Sequence, residues 1–133
     1  MVLKPHISIN VRNIDRSIAF YRRLFGVEPS KIRQGYAKFD LENLNFALNE
    51  APGALSHLGF QVSSTDDVLE FRKRWADAGL ITRDEMDTNC CYANQNKTWV
   101  ADPDGNEWEA FVVLQDNLPE QGACAATCCA PAV

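Results

Sequence analysis

Six residues near the start of the chain, His6-Ile7-Ser8-Ile9-Asn10-Val11, are echoed in the middle by His57-Leu58-Gly59-Phe60-Gln61-Val62. Both read histidine, apolar, small, apolar, amide, valine. The period of two predicts a strand in each copy, with Ile7, Ile9 and Val11 on one face and His6, Ser8 and Asn10 on the other. The second copy sets Leu58, Phe60 and Val62 against His57, Gly59 and Gln61, so the two histidines share a register. A repeated segment implies a repeated unit, and the stretch after each strand repeats as well. After the first, Asn13 opens a helix with Ile18, Tyr21, Leu24 and Phe25 at helical spacing and Gly26 as its stop. After the second, Ser64-Thr65-Asp66-Asp67 opens a helix carrying Val68, Phe71, Trp75 and Ala78, stopped by Gly79.

Three further strands are expected beyond each helix. They cover roughly Glu28 to Arg33, Tyr36 to Leu41 and Asn45 to Asn49 in the first half. In the second half they cover Ile81 to Asp87, Thr98 to Asp102 and Glu107 to Val113, the last two joined by the turn Asp102-Pro103-Asp104-Gly105-Asn106. Each half is therefore strand, helix, three strands, an α+β fold of two tandem βαβββ modules at about 4–50 and 55–114, linked by Ala51-Pro52-Gly53-Ala54. Neither half is large enough for a stable core alone, so the halves must pack together, and their polar strand faces line a common concavity. The domain spans 1–117, and 118–133 is an Ala- and Cys-rich tail without charge after Glu120.

Composition removes several classes of function. With 133 residues there is room for one domain only. A net charge of -5 has the wrong sign for a nucleic-acid backbone or an anionic membrane surface. No apolar run approaches the roughly 20 residues of a membrane helix. The start MVLKPHISIN has no apolar export segment, so the chain is expected in the cytoplasm. There Cys90, Cys91, Cys124, Cys128 and Cys129 are expected to be reduced, and their odd count does not read as a disulfide framework.

His6 and His57 are the only histidines. Both open symmetry-related strands on the polar face, so packing the modules brings the imidazoles to one cleft, where a metal would hold them. Glu107-Trp108-Glu109-Ala110-Phe111 offers a carboxylate on the strand after the Asp-Gly turn, and alternation alone does not choose between Glu107 and Glu109. Two imidazoles and one carboxylate form the facial triad of open, oxygen-using iron sites, although these ligands suit Mn(II), Ni(II) and Co(II) too.

The histidine strands, the segment Asp15-Arg16-Ser17-Ile18-Ala19-Phe20-Tyr21 ending in Phe25-Gly26, and the Asp102-Pro103-Asp104-Gly105-Asn106 turn leading to Trp108-Glu109 together resemble the vicinal oxygen chelate superfamily of glyoxalases, bleomycin-resistance proteins and extradiol dioxygenases. The resemblance covers about residues 4 to 114. It implies sheets curved around a divalent metal, with His6 and His57 as first-strand ligands and Glu109 as the last-strand ligand. A fourth ligand would fall near Asn45 to Ala47, where no Glu, His or Asp stands. That departure argues against a four-ligand glyoxalase I and for an open, three-ligand site.

Adjacent cysteines close a strained ring if bonded to each other, so Cys90 and Cys91 read as two neighbouring thiols suited to soft ions such as trivalent arsenic, Cd(II), Zn(II) or Cu(I). Within the superfamily, Asn89-Cys90-Cys91-Tyr92-Ala93, Lys97-x-Trp99-Val100, Lys4-Pro5-His6-Ile7-Ser8 and the cysteine-bearing tail resemble the organoarsenical carbon-arsenic lyases, a branch also labelled cadmium-induced protein. This resemblance implies an Fe(II)- and O2-dependent enzyme that releases arsenite from methylarsenite or aromatic arsenicals. Cys90 and Cys91 would then hold the arsenic, His6, His57 and Glu109 the iron, and Cys124, Cys128 and Cys129 would pass arsenic on or sequester it. The partner is a small organoarsenical, not nucleic acid or membrane, and monomer or homodimer stays open. The competing readings are an arsenic- or cadmium-sequestering binder, an extradiol dioxygenase and a fosfomycin thiol transferase. An open iron site is superfluous in a binder, and neither of the other enzymes accounts for Cys90-Cys91. Lys97, Gln61, Asn10 and Tyr92 fit a pocket wall and a solvated or packing position equally well.

Overall fold

A computed structural model describes residues 1–119 of the chain. The elements run β1 (Lys4–Val11), α1 (Ile14–Phe25), β2 (Lys31–Arg33), β3 (Tyr36–Asp40), β4 (Asn45–Glu50), β5 (Leu55–Gln61), α2 (Thr65–Asp77), β6 (Arg83–Cys90), β7 (Ala93–Ala101) and β8 (Glu107–Gln115). This is βαβββ twice, as the repeat predicts. Local chemistry sets the helix ends: the Asn13 side chain accepts from the Arg16 amide, and Gly26 takes the left-handed conformation at φ 72° while its amide reaches Arg22 O. Ser64 caps α2 in the same way by accepting from the Asp67 amide.

All eight strands form one sheet in the order β2-β3-β4-β1-β5-β8-β7-β6. At its centre β1 and β5 run antiparallel, and each is flanked by the parallel last strand of its own module, β4 beside β1 and β8 beside β5. The alternation in the strands then decides what faces where. Ile7, Ile9 and Val11 turn outward and pack with Phe39, Phe46 and Leu48 under Ile18 of α1. Phe60, Val62, Ala110 and Val112 do the same under Val68 and Phe71 of α2. The opposite faces carry His6, Ser8, Asn10, Asn45, Asn49, His57 and Glu109, and all of them are buried. Both strand faces thus leave water: the apolar one beneath the helices, the polar one inside the curl of the sheet. No described helix is long and apolar enough to cross a membrane.

Three strands differ from the sequence reading by three residues or more. β7 begins at Ala93, five residues before Thr98, because Ala93-Asn94-Gln95-Asn96-Lys97 lacks an apolar alternation and its inward residues Gln95 and Lys97 are polar yet buried. β6 continues to Cys90 through a bulge between Glu85 and Thr88, where Asp87 sits at φ 51°. β2 shrinks to Lys31–Arg33, since Pro29 has no amide to give to a ladder.

Candidate metal centre

The antiparallel β1–β5 pairing sets His6 opposite Gly59 and Ser8 opposite His57, so the two imidazoles meet diagonally on the inner face. Their Nε2 atoms stand 3.1 Å apart. The parallel β5–β8 register puts Glu109 beside Gly59, and Glu109 Oε2 comes within 3.2 Å of His57 Nε2. The three ligand atoms lie within 4.8 Å of one another, and all three residues are buried.

The outer nitrogens of both rings are occupied. His6 Nδ1 lies 3.1 Å from the carbonyl oxygen of Asn45, which can only accept, so the ring proton is on Nδ1 and the Nε2 lone pair faces inward. The Ser56 hydroxyl stands 2.9 Å from Nδ1 of His57. Burial lowers the pKa of His6 to about 4, an effect that the Glu109 charge opposes and His57 reinforces. Burial, then the Lys97 ammonium, lowers that of His57 to about 3. Both imidazoles are therefore neutral at physiological pH, the form that binds metal.

Glu109 Oε2 is buried without a hydrogen-bond donor. Its neighbour at 3.2 Å, His57 Nε2, presents a lone pair when the Ser56 hydroxyl accepts the proton of Nδ1. In that tautomer three lone pairs converge, an arrangement that a cation satisfies. Two ligand atoms each about 2.1 Å from one ion and at right angles are about 3.0 Å apart, close to the 3.1 and 3.2 Å that separate His57 Nε2 from His6 Nε2 and Glu109 Oε2. The donor set fits a divalent metal, and second partners on the two histidines hold the rings in place as metal sites require.

Two neighbours make the carboxylate's position attainable. A Cβ on Gly59 would meet the Glu109 carbonyl oxygen at 2.5 Å and its Cγ at 2.7 Å, so β8 can come this close only beside a glycine. Lys97 Nζ, fully buried over the rings of Trp99 and Phe111, stands 3.5 Å from Glu109 Oε1. Trp99 also meets the His57 ring edge to face, with centroids 5.2 Å apart, and its own Nε1 donates to Glu85 at 2.6 Å.

The position in module one that corresponds to Glu109 is Ala47. Ser8 pairs with Ala47 as Gly59 pairs with Glu109, and Ser8 and Gly59 hold the same place in the repeat. Ala47 lines the cleft together with His6, His57 and Glu109 but offers no ligand. Among the described residues the candidate centre therefore has three protein ligands.

The β6–β7 hairpin brings in the cysteines. Cys90 pairs with Ala93, leaving Cys91 and Tyr92 as a two-residue turn at φ 53° and 63°. Turns of this hand normally use Asn and Gly; side chains there cost about 1–2 kcal/mol each. The turn sends Cys91 to the cleft wall, while Cys90 is buried against Trp99 behind it. Their sulfurs are 3.4 Å apart and not bonded to each other. Cys91 keeps its thiol. Burial pushes the Cys91 thiol up to about 11, with Lys97, Lys31 and Lys38 pulling it down and Glu109 pushing it up. Cys124, Cys128 and Cys129 lie outside the described residues.

Other cleft residues carry no sequence signal of function. Lys31, Tyr36 and Lys38 come from the far edge of module one, and Gln95 and Lys97 from β7. Of these the sequence singles out only Lys97, without a role. Asn10 and Gln61 are engaged in the framework, donating to Pro52 O and accepting from Asn45 Nδ2.

A curled sheet of paired βαβββ modules with metal-ligating residues on its inner strands defines a class, and residues 5–110 match the Glyoxalase/Bleomycin resistance protein/Dioxygenase superfamily. The chain belongs to that superfamily. It is 46% identical over 131 residues to the trivalent organoarsenical cleaving enzyme of Bacillus sp. (strain MD1), covering 93% of this chain and 81% of that protein. It is 41% identical over 119 residues to the cadmium-induced protein CadI of Mycobacterium bovis, covering 86% and 78%. Among solved structures, homoprotocatechuate 2,3-dioxygenase from Arthrobacter globiformis superposes with a TM-score of 0.69 at 18% identity, over 90% of this chain and 38% of that one. That likeness is one of fold.

Proposed function

We propose that the protein cleaves the carbon–arsenic bond of trivalent organoarsenicals, methylarsenite and aromatic arsenicals, in the cytoplasm, with Fe(II) as resident metal and O2 as co-substrate, releasing arsenite. The observation that carries this reading is the meeting of a soft thiol pair and a hard three-ligand site, since Cys91 lines the same cleft as His6, His57 and Glu109. Sulfur selects trivalent arsenic, and nitrogen with carboxylate selects a first-row divalent metal. The similarity to proteins named trivalent organoarsenical cleaving enzymes supports the same substrate class.

Cys90 and Cys91, both reduced, would each exchange a thiol for a hydroxyl on arsenic, forming an As–S bond and releasing water. Two adjacent sulfurs hold the arsenic in one orientation and make the following step effectively intramolecular. His6, His57 and Glu109 would hold the iron, which supplies the binding and activation of oxygen that no side chain can perform. Lys97 offsets the charge of Glu109 and keeps the carboxylate pointed inward. Ala47, in place of a fourth ligand, leaves one side of the centre open to substrate.

Two variants separate the halves of this site. Cys91→Ser is expected to retain Fe(II), measured by metal analysis after desalting, while losing methylarsenite binding and turnover. His57→Ala is expected to lose iron and turnover yet still bind methylarsenite in reduced protein. Full turnover by Cys91→Ser would remove the capture role.

A further inference from the structure

Three lysines enter the cleft, and their charges are not balanced by the carboxylates around them. Lys31 and Lys97 have side chains 3% and 2% exposed, and Lys38 stands at the mouth with 14%. Lys97 faces Glu109 at 3.5 Å and Lys31 faces Asp116 at 2.5 Å. Lys38 has only a share in the same Asp116, at 3.9 Å, and the nearby Asp40 is taken by Lys4. Both histidines are neutral, so three ammonium groups meet two carboxylates before any metal binds. A divalent ion on the triad adds two more positive charges, and cysteine sulfurs bonded to arsenic contribute none. Charge in such a low-dielectric space calls for a partner. Burial, followed by the Lys31 ammonium, lowers the pKa of Lys38, as expected of a cation short of anions.

The wall between Cys91 and Lys38 has the character of a ring site. Tyr36, Phe111 and Val113 line it. We propose that Lys38 is a specificity-determining residue, binding an acidic group, carboxylate or phenolate, on the organic substituent of a trivalent arylarsenical whose arsenic is held at Cys91. This rests on the function proposed above and narrows its substrate class.

The test compares the Kd of phenylarsenite with that of its 4-carboxy derivative, using the full-length, reduced, Fe(II)-loaded protein without oxygen. Wild type is expected to bind the carboxylated compound about tenfold more tightly, as one charge-assisted contact implies. The ratio should fall to about one in Lys38→Met and survive in Lys38→Arg. Equal affinities in the wild type, or an unchanged ratio in Lys38→Met, would overturn the assignment while leaving the function intact. Binding of neither compound would overturn the function itself and this inference with it.

Discussion

The two modules share one backbone plan and have divided its chemistry unequally. Module two contributes His57, Glu109, Lys97 and Cys91 with Cys90 behind it, whereas module one contributes His6 and, from β2 and β3, Lys31, Tyr36 and Lys38. The sharpest contrast is at one symmetric pair of positions. In module two Gly59 yields its side-chain space so that Glu109 can enter, and in module one Ser8 faces Ala47, with the Ser8 hydroxyl accepting from Asn49 at 2.7 Å. Module one thus devotes its inner face to structural hydrogen bonds at the place where module two supplies the candidate ligand Glu109. Duplication provides two histidines at one point, and the difference between the copies opens the centre on one side.

The largest expected effect comes from exchanging the modules' roles at that pair. Glu109→Ala should abolish Fe(II) retention and lower arsenite release by roughly a thousandfold or more, as loss of a ligand and of catalysis predicts. Ala47→Glu should do the opposite to metal, holding it through an added carboxylate while suppressing turnover by closing the open side. Metal analysis and arsenic speciation on the same samples check both. If Ala47→Glu kept normal turnover, the vacant position would not be where the chemistry occurs.

A smaller effect is expected one strand away. Gly59→Ala must displace Glu109, and should weaken Fe(II) binding by about 10- to 100-fold, the range for altered ligand support. Ser8→Ala removes one hydrogen bond, costing about 1 kcal/mol of stability, with metal affinity nearly unchanged. Isothermal titration with Fe(II) under anaerobic conditions, alongside urea unfolding, distinguishes the two.

A further effect concerns pH. The folded metal-free protein holds His6 and His57 at pKa values of about 4 and 3, below the unfolded value near 6.5. The unfolded chain therefore binds protons that the folded one refuses. The stability of the apoprotein is fully present above about pH 6.5 and is lost as pH falls from there towards about 4. Loaded metal should move the loss to lower pH, because protons must then displace it. Denaturant unfolding of both forms between pH 7 and 4 is the check, and a flat apoprotein profile would contradict the buried neutral pair.

The contrast between modules also explains what can be read from residues alone. The repeat of His6 to Val11 in His57 to Val62 carries the architecture, because a period of two and two capped helices are local signals. It also places His6 and His57 at the same point of related strands, since register follows from the repeat, whereas the choice of Glu109 over Glu107 comes from the family resemblance alone. Lys31 and Lys38 escape because their burial depends on the far edge strands of the curled sheet meeting module two, a long-range event. Lys31 Nζ reaches the Cys91 carbonyl at 3.3 Å across the mouth of the sheet, which no local pattern encodes. Gly59 reads as merely small until the parallel register with Glu109 is known. The early start of β7 is hidden for a related reason: Gln95 and Lys97 face an inside that is polar, so inward and outward positions do not differ in hydrophobicity.

The central claim is that thiol capture and an open metal centre act on one substrate in one cleft. Its most direct test is arsenic speciation after reduced, Fe(II)-loaded protein is incubated with methylarsenite in air and, in parallel, without oxygen. The account predicts arsenite in the aerated sample only, with methylarsenite bound but intact in the other. Bound, unconverted methylarsenite in both samples would contradict it and make the cysteines, as a sequestering site, the whole of the function.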